Sequence, residues 1–181
     1  FIVLIELLSS VQNSQSNGLK LGLILGAFVL FENGKLVPAM LLICLGFYIK
    51  ILAAVAAVLL LFYPQKIKSI AAGSIFVVLL GALPLTVITW DELVVQYQNW
   101  LQLLANDPAG WRNFSFMTLM ERTVGLKVGD IYYILPGILL LLAPLARIKH
   151  WHDFNFRLLY LCSILIWVVI FNHKAESQTF C

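Results

Sequence analysis

The feature that most constrains this chain is a series of apolar segments separated by short polar interruptions. Of the 181 residues, 61% are apolar and 12% are charged, whereas soluble domains are about half apolar and about a quarter charged. In a bilayer, an α-helix satisfies every backbone polar group within one segment. The sequence therefore predicts an all-α integral membrane protein, a polytopic bundle forming one transmembrane domain over 1–181. The expected spans are residues 18–31, 36–49, 51–62, 69–89, 131–146 and 158–171, with a partial segment at 1–8.

Charge and motifs exclude several classes of function. The net charge of +3 is small and scattered, so no nucleic-acid partner is expected. The three cysteines lack the paired spacing of a zinc or redox site and read as free thiols. No phosphate-binding glycine loop, nucleophile elbow or zinc motif is present, so neither a metal nor a cofactor is expected. Because the first residue is Phe1, we expect the chain to be part of a longer protein.

The lengths of the spans are uneven. Only 69–89 reaches the roughly 20 residues that cross a bilayer unaided. Shorter helices place polar helix ends inside the hydrocarbon layer, which is tolerated where protein or a water-filled cavity surrounds them. We therefore expect a cavity near one face of the membrane.

The loops predict an orientation. Loop 63–68 carries two basic residues and no acid, and loop 147–157 carries three basic residues and one acid. Loop 90–130 carries five acids against three basic residues. By the positive-inside rule, the first two loops are cytoplasmic and loop 90–130 is extracytoplasmic. The chain after 171 then also lies outside.

Region 36–62 has two interpretations. As one helix it would hold Lys50 at mid-depth in the membrane, where a charge is costly. As two short helices, 36–49 and 51–62, it turns at Lys50 on the outer side. We favour the second interpretation because it removes the buried lone charge.

The outer loop begins with an amphipathic pattern. Thr89 and Glu92 have the spacing of a capping box, which predicts a helix start. The following residues separate into two faces at helical spacing. Trp and Tyr on the apolar face favour a helix in the membrane interface, and the alternative is a packed surface helix of a small outer domain. The apolar face comprises Trp90, Leu93, Val94, Tyr97, Trp100, Leu101 and Leu104.

Three polar groups are candidates for chemistry. The stretch 14–19 is either an ordinary helix start or a set of donors facing a sugar or phosphate. Lys50 either snorkels to the interface or binds a phosphate. The stretch 172–177 is either a solvated helix end or a site for a phosphorylated sugar or for proton transfer.

These residues resemble glycosyltransferase family 87, whose members use polyprenyl-phosphate mannose and belong to the C-type superfamily. The resemblance lies in Gln15 and Asn17 before a helix, in Ile49–Lys50, and in the late histidine-containing stretch 172–177, where Lys-Ala-Glu after His173 departs from part of the family pattern. The stretches 11–17 and 171–177 resemble uncharacterised bacterial members of the family. The substrate-binding residues that it implies are Gln15, Asn17, Lys50, His173, Lys174 and Glu176.

The resemblance implies inverting transfer of a sugar, mannose or a related one, from a polyprenyl-phosphate donor to a glycan or glycolipid acceptor. The enzyme would lie in the bacterial inner membrane with its active face outside, in contact with membrane lipid. The family places its catalytic acid in the first outer loop, which we expect to precede this chain, so the catalytic residue is unknown and Glu6 is not assigned that role.

Two other functions remain open from the residues alone. A secondary transporter or lipid flippase also uses short, interrupted helices, but the chain shows no repeat between its halves and its polar groups gather at one face. A non-catalytic membrane subunit would tolerate alanine at Gln15, Asn17, Lys50 and His173. In the transferase interpretation, these four residues share one outer cavity.

Overall fold

The computed structural model describes residues 16–106 and 131–170 together with Thr123 and Gly125. Every regular element within these residues is helical, as the composition predicts. In chain order the elements are α1 (Asn17–Glu32), α2 (Leu36–Ile49), a 3₁₀-helix (Ile51–Phe62), α3 (Lys66–Ala82, continued by a 3₁₀ turn at Leu83–Thr86), α4 (Trp90–Asn106), α5 (Ile131–Leu142, continued by a 3₁₀ turn at Ala143–Ala146), a short 3₁₀ turn (Ile148–His150) and α6 (Phe154–Ile170).

Region 36–62 consists of two helices that meet at Lys50. The backbone of Lys50 is extended, with φ −148° and ψ 117°, so the helix is interrupted at this single residue. The two halves fold back on each other, and a Cβ added at Gly46 would lie 3.0 Å from the Cβ of Ala53. The interpretation as two helices is therefore confirmed, with the expected bounds.

The second half of this hairpin is a 3₁₀-helix of 12 residues. Such helices rise about 2.0 Å per residue, against about 1.5 Å in an α-helix. The 12 residues therefore extend about 24 Å and match the α2 helix, which extends about 21 Å. The greater rise per residue of the 3₁₀-helix lets its 12 residues run the full length of α2.

The bundle core lies between α1, α2, the 3₁₀-helix and α6. Because the first three run antiparallel in turn, the bundle has two ends. The Lys50 end comprises Asn17, Lys50 and the last turn of α6, and the Glu32 end comprises Glu32, Tyr63 and Arg157. Leu59 and Ile164 are fully buried between the ends.

A hydrogen-bonded cluster closes the Glu32 end. The guanidinium of Arg157 donates to both carboxylate oxygens of Glu32, at 2.6 Å and 2.7 Å. The Tyr63 hydroxyl also donates to Glu32, and Arg157 donates to the backbone oxygen of Trp151 at 3.0 Å. The hydrogen bonds from Arg157 lower the pKa of Glu32. The pKa of Tyr63 is raised, mainly by burial and to a lesser extent by its hydrogen bond to Glu32.

This cluster brings three loops to one end of the bundle. Glu32 precedes the turn 33–35, Tyr63 begins the loop before α3, and Arg157 follows the loop after α5. Lys66 adds a further link, with its ammonium 5.1 Å from the centre of the Trp151 ring. The loops to which the charge pattern assigns one side of the membrane therefore lie together, and which side this is stays a prediction.

Two span boundaries differ from those read from hydropathy. The long span runs over Lys66–Thr86, rather than 69–89, and is long and apolar enough to cross a membrane. Its helix begins at Lys66 because lysine is a good helix former although it is charged. The last span starts at Phe154, rather than 158, because Arg157 turns towards Glu32 from within the helix. Among the described residues, the shorter apolar helices are Leu36–Ile49, Ile51–Phe62, Leu135–Ala146 and Phe154–Ile170.

Helix α4 carries the expected capping box. The backbone and hydroxyl of Thr89 donate to the Glu92 carboxylate at 2.8 Å and 2.9 Å, and the Glu92 N–H lies 3.5 Å from the Thr89 hydroxyl. These bonds lower the pKa of Glu92. The helix rests on the end of α3, where the Tyr97 hydroxyl donates to the Gly81 oxygen at 2.8 Å. Leu93 is buried there, whereas the apolar side chain of Leu101 is exposed.

Candidate functional site

Lys50 and Asn17 meet at the Lys50 end of the bundle. The ammonium of Lys50 lies 2.7 Å from the side-chain oxygen of Asn17 and donates a hydrogen bond to it. Asn17 is the first residue of α1 and is buried. Lys50 is half-buried at the break in the hairpin. Two residues singled out from the sequence are thus brought together by the antiparallel packing of α1 and the hairpin.

Two helix N-termini face the same end. The α1 helix begins at Asn17, and its capping residue Ser16 makes no side-chain hydrogen bond to the first turn. The 3₁₀-helix begins at Ile51, directly after Lys50, and also lacks a side-chain cap. Helix N-termini carry partial positive charge and unsatisfied N–H groups. This end of the bundle therefore offers N–H and ammonium donors to an anion, alongside the partial negative charge of the C-termini of α2 and α6.

A cavity of about 190 Å³ opens beside Asn17. One wall comes from α1 and the other from the last turns of α6, where Leu165, Val168 and Val169 supply apolar surface. A single water needs roughly 10–15 Å³ of such space, so the cavity is large enough for a group the size of a phosphate. Among the described residues that line it, the polar ones are Asn17 and Lys20.

An apolar groove of about 750 Å³ runs along the other side of the hairpin. It lies between α2, the 3₁₀-helix and α3, and extends from Phe47 near the Lys50 end towards Leu61 near the Glu32 end. Apart from Cys44, Gly73 and Ser74, the described residues that line it carry apolar side chains. The groove suits a long hydrocarbon chain better than a polar molecule.

The sequence model of glycosyltransferase family 87 matches residues 1–171. This chain belongs to glycosyltransferase family 87. The family inferred from Gln15, Asn17 and Ile49–Lys50 is thereby confirmed. No curated protein and no solved structure matches the chain.

Membership in glycosyltransferase family 87 has direct consequences. The protein is a glycosyltransferase and so requires a sugar donor and an acceptor, and members of the family are membrane proteins. The all-helical architecture and the 21-residue apolar helix Lys66–Thr86 agree with this. Among the described residues, no group of three or more His, Cys, Asp or Glu side chains is placed to hold a metal ion.

Four of the six substrate-binding residues that the resemblance implies lie outside the described residues. They are Gln15, His173, Lys174 and Glu176. Helix α6 ends at Ile170, at the same end of the bundle as Asn17 and Lys50. For the described part of the set, Asn17 and Lys50 share one end of the bundle, where Asn17 lines the cavity, and the role of each residue in binding substrate stays a prediction.

Lys20 is a residue of this site that the sequence analysis missed. It is 7% exposed and lines the cavity with Asn17. Within the part of the chain that the structure describes, no acceptor lies within hydrogen-bonding distance of its ammonium group. Hydropathy assigned Lys20 to the interior of span 18–31, where one cation among apolar residues is easily passed over. The signal lay in its spacing, since a residue three positions after Asn17 lies on the same helix face.

Proposed function

We propose that this member of glycosyltransferase family 87 transfers a sugar, mannose or a related one, from a polyprenyl-phosphate donor to a glycan or glycolipid acceptor. The observation that carries this proposal is the contact between Lys50 and Asn17 at an end of the bundle where two helices begin. A phosphate bound there would receive a charge-assisted hydrogen bond from the Lys50 ammonium. Asn17, which already holds Lys50, would orient that ammonium.

The two hydrophobic features support a lipid-linked donor. The cavity beside Asn17 is walled by aliphatic side chains of α6, and the groove beginning at Phe47 is almost entirely apolar. A free sugar nucleotide would gain little from either surface, whereas an isoprenoid chain would gain roughly 25 cal/mol for each Å² of apolar surface removed from water. The hairpin that presents Lys50 lines the groove, and the cavity adjoins Asn17, which contacts Lys50.

Membrane sidedness follows from charge. The basic loops gather at the Glu32 end, so the positive-inside rule assigns that end to the cytoplasm. In the proposed orientation, the Lys50 end faces outward, and donor binding and transfer occur on the extracytoplasmic side of a bacterial inner membrane.

The chemistry expected at this site is electrostatic. An acceptor hydroxyl attacks the anomeric carbon, a carboxylate base takes its proton, and the bond from that carbon to the phosphate oxygen breaks with its electron pair on the oxygen. Preorganised cations stabilise the charge that develops on the departing phosphate. Among the proposed ligands, Lys50, His173 and Lys174 suit this task, while Gln15, Asn17 and Glu176 suit hydrogen bonding to the sugar or to the cations.

The test is sugar transfer by the full-length protein in membranes, followed against the concentration of polyprenyl-phosphate mannose. Lys50→Gln keeps length and polarity but removes the charge, so donor affinity should fall by roughly 1–3 kcal/mol. Lys35→Gln, an exposed lysine in the turn between α1 and α2, is the matched control and should behave as wild type. Wild-type donor dependence in Lys50→Gln would show that Lys50 only snorkels and would refute the phosphate site.

A further inference from the structure

The Lys20 ammonium is a buried cation that donor binding at Lys50 leaves unused. The residue is 7% exposed, and among the described residues its ammonium has no hydrogen-bond acceptor. A buried charge without a partner is costly, and breaking up a cation's pairing inside a protein typically costs several kcal/mol. Because Lys20 lines the cavity beside Asn17, an anion entering that cavity would reach it.

Snorkelling does not account for this lysine. A snorkelling side chain keeps its ammonium in water while its stem covers apolar surface, but Lys20 is almost fully covered by the bundle. Its neighbours in the cavity include Ile24 and Val168, which offer nothing to a cation. The nearby charge of Lys50 has the same sign and opposes that of Lys20. An anion bound beside both groups would offset this repulsion.

The charge on the lipid phosphate changes during the proposed reaction. In the donor, the phosphate is a diester with one negative charge. When the carbon–oxygen bond to the sugar breaks, the electron pair stays on the phosphate oxygen, while the acceptor proton goes to the carboxylate base. The lipid phosphate leaves as a monoester, which carries about −1.5 to −2 charges at neutral pH. One cation matches the donor, and two match the leaving group.

We infer that Lys20 binds the additional negative charge that the lipid phosphate acquires as the sugar leaves, so that the cavity beside Asn17 prefers a lipid phosphomonoester to the corresponding diester. The inference rests on the proposed function and assigns Lys20 to its leaving group. A contact that is stronger in the transition state than with bound donor lowers the barrier of the chemical step. Lys50 then serves donor and leaving group alike, whereas Lys20 serves the leaving group.

The experiment compares two ligands that differ by one charge. An isoprenyl monophosphate and its methyl ester, with the same chain, are titrated at pH 7.5 into the full-length protein in lipid nanodiscs. The wild type should bind the monophosphate about ten- to a hundredfold more tightly, the usual effect of one charge-assisted bond. Lys20→Met should remove this preference and leave the affinity for the methyl ester within about threefold. Lys35→Met, at an exposed lysine, should keep the wild-type preference.

Two further measurements do not depend on how well Lys20→Met folds. In wild-type protein the preference should shrink at pH 5, because the monophosphate loses its second charge below a pKa of about 6. In transfer assays, Lys20→Gln should lower kcat about tenfold or more with little change in the KM of the donor, as expected for a contact made in the transition state.

The outcomes separate this inference from the function on which it rests. If Lys20→Met keeps the preference while Lys50→Gln weakens donor use, the role of Lys20 is wrong and the transferase proposal stands. If inorganic phosphate binds as tightly as the isoprenyl monophosphate, the cavity holds a free anion and the leaving-group role is wrong. If the wild type neither binds these lipids nor transfers sugar, both proposals fail.

Discussion

Lys50 and Asn17 are 33 positions apart in the sequence, yet the Lys50 ammonium lies 2.7 Å from the Asn17 side-chain oxygen. Each residue marks a helix start, so the contact joins two positive helix ends. Lys50 also follows the last residue of α2, and a helix C-terminus carries partial negative charge that favours a cation. An anion bound at this end would meet the Lys50 ammonium and the N–H groups of both first turns.

The first prediction is that Lys50 and Asn17 act as a unit in donor binding. In a double-mutant cycle with Asn17→Ala and Lys50→Gln, donor affinity should show a coupling of about 0.5–3 kcal/mol, as residues in contact do. A second cycle of Lys50→Gln with Asn33→Ala, at the opposite end, is the control and should be additive within about 0.5 kcal/mol. Additive effects in the first cycle would mean that the contact plays no part in binding the donor.

The second prediction concerns the Glu32 end. Glu32→Gln should lower the free energy of unfolding by about 2 kcal/mol, because it removes the charge that receives two hydrogen bonds from Arg157. Thermal unfolding of purified protein in detergent would measure this as a lower Tm. Asp91→Asn, at an exposed acid in α4, should change the stability by less than about 1 kcal/mol. Equal Tm values for Glu32→Gln and wild type would contradict a stabilising cluster.

The third prediction is the pH dependence of the same cluster. Arg157 depresses the pKa of Glu32 below its ordinary value of 4.5. The ion pair therefore stabilises the fold fully above about pH 4.5 and loses this contribution as the pH falls through the lower pKa of the folded state. Between pH 7 and pH 3.5, the Tm of wild type should fall more than that of Glu32→Gln. Parallel curves would show that Glu32 does not titrate with folding.

Much of the fold follows from the positions of charges in the sequence. Glu32, Lys35 and Lys50 interrupt apolar runs, and the helices end at or beside them. Thr89 and Glu92 predict the start of α4 because capping is a local interaction. Loops 63–68 and 147–157 lie at the same end of the bundle, which agrees with their assignment to one side of the membrane from basic residues alone.

Other features depend on tertiary packing and leave no local pattern. The 3₁₀ geometry of 51–62 was not foreseen, because an almost uniformly apolar run gives no periodicity to separate 3.0 from 3.6 residues per turn. Glu32 and Arg157 are 125 positions apart, and nothing in either neighbourhood indicates the other. Lys20 was missed because its meaning comes from the cavity that α6 closes over it.

The fourth prediction is the orientation of the bundle. A reporter fused after Gln65 or after His150 should read as cytoplasmic, because both residues lie in the basic loops that gather at the Glu32 end. A reporter inserted near Asp107, in the outer loop, should read as extracytoplasmic. An extracytoplasmic signal at Gln65 would invert the orientation and with it the side on which sugar transfer is proposed.

The fifth prediction is that α4 lies in the membrane interface. Three residues separate its start at Trp90 from the apolar helix that ends at Thr86, and it is held there by Leu93 and Tyr97. The neighbouring edge of its apolar face is uncovered, with Trp90 66% and Leu101 58% exposed. Bulky apolar and aromatic side chains on such an edge favour the boundary between headgroups and acyl chains.

Leu101→Asp should therefore increase hydrogen exchange of α4 in lipid nanodiscs, because a carboxylate at this position must stay hydrated and lifts the helix from the interface. Gln102→Asp, one position along on the polar face, adds the same charge and should leave the exchange unchanged. The comparison is made in lipid with the full-length protein, because the two variants should differ in hydrogen exchange only where α4 meets a bilayer. If both variants exchange like wild type, α4 is held by its contacts with α3 alone and belongs to an outer domain that does not touch the bilayer.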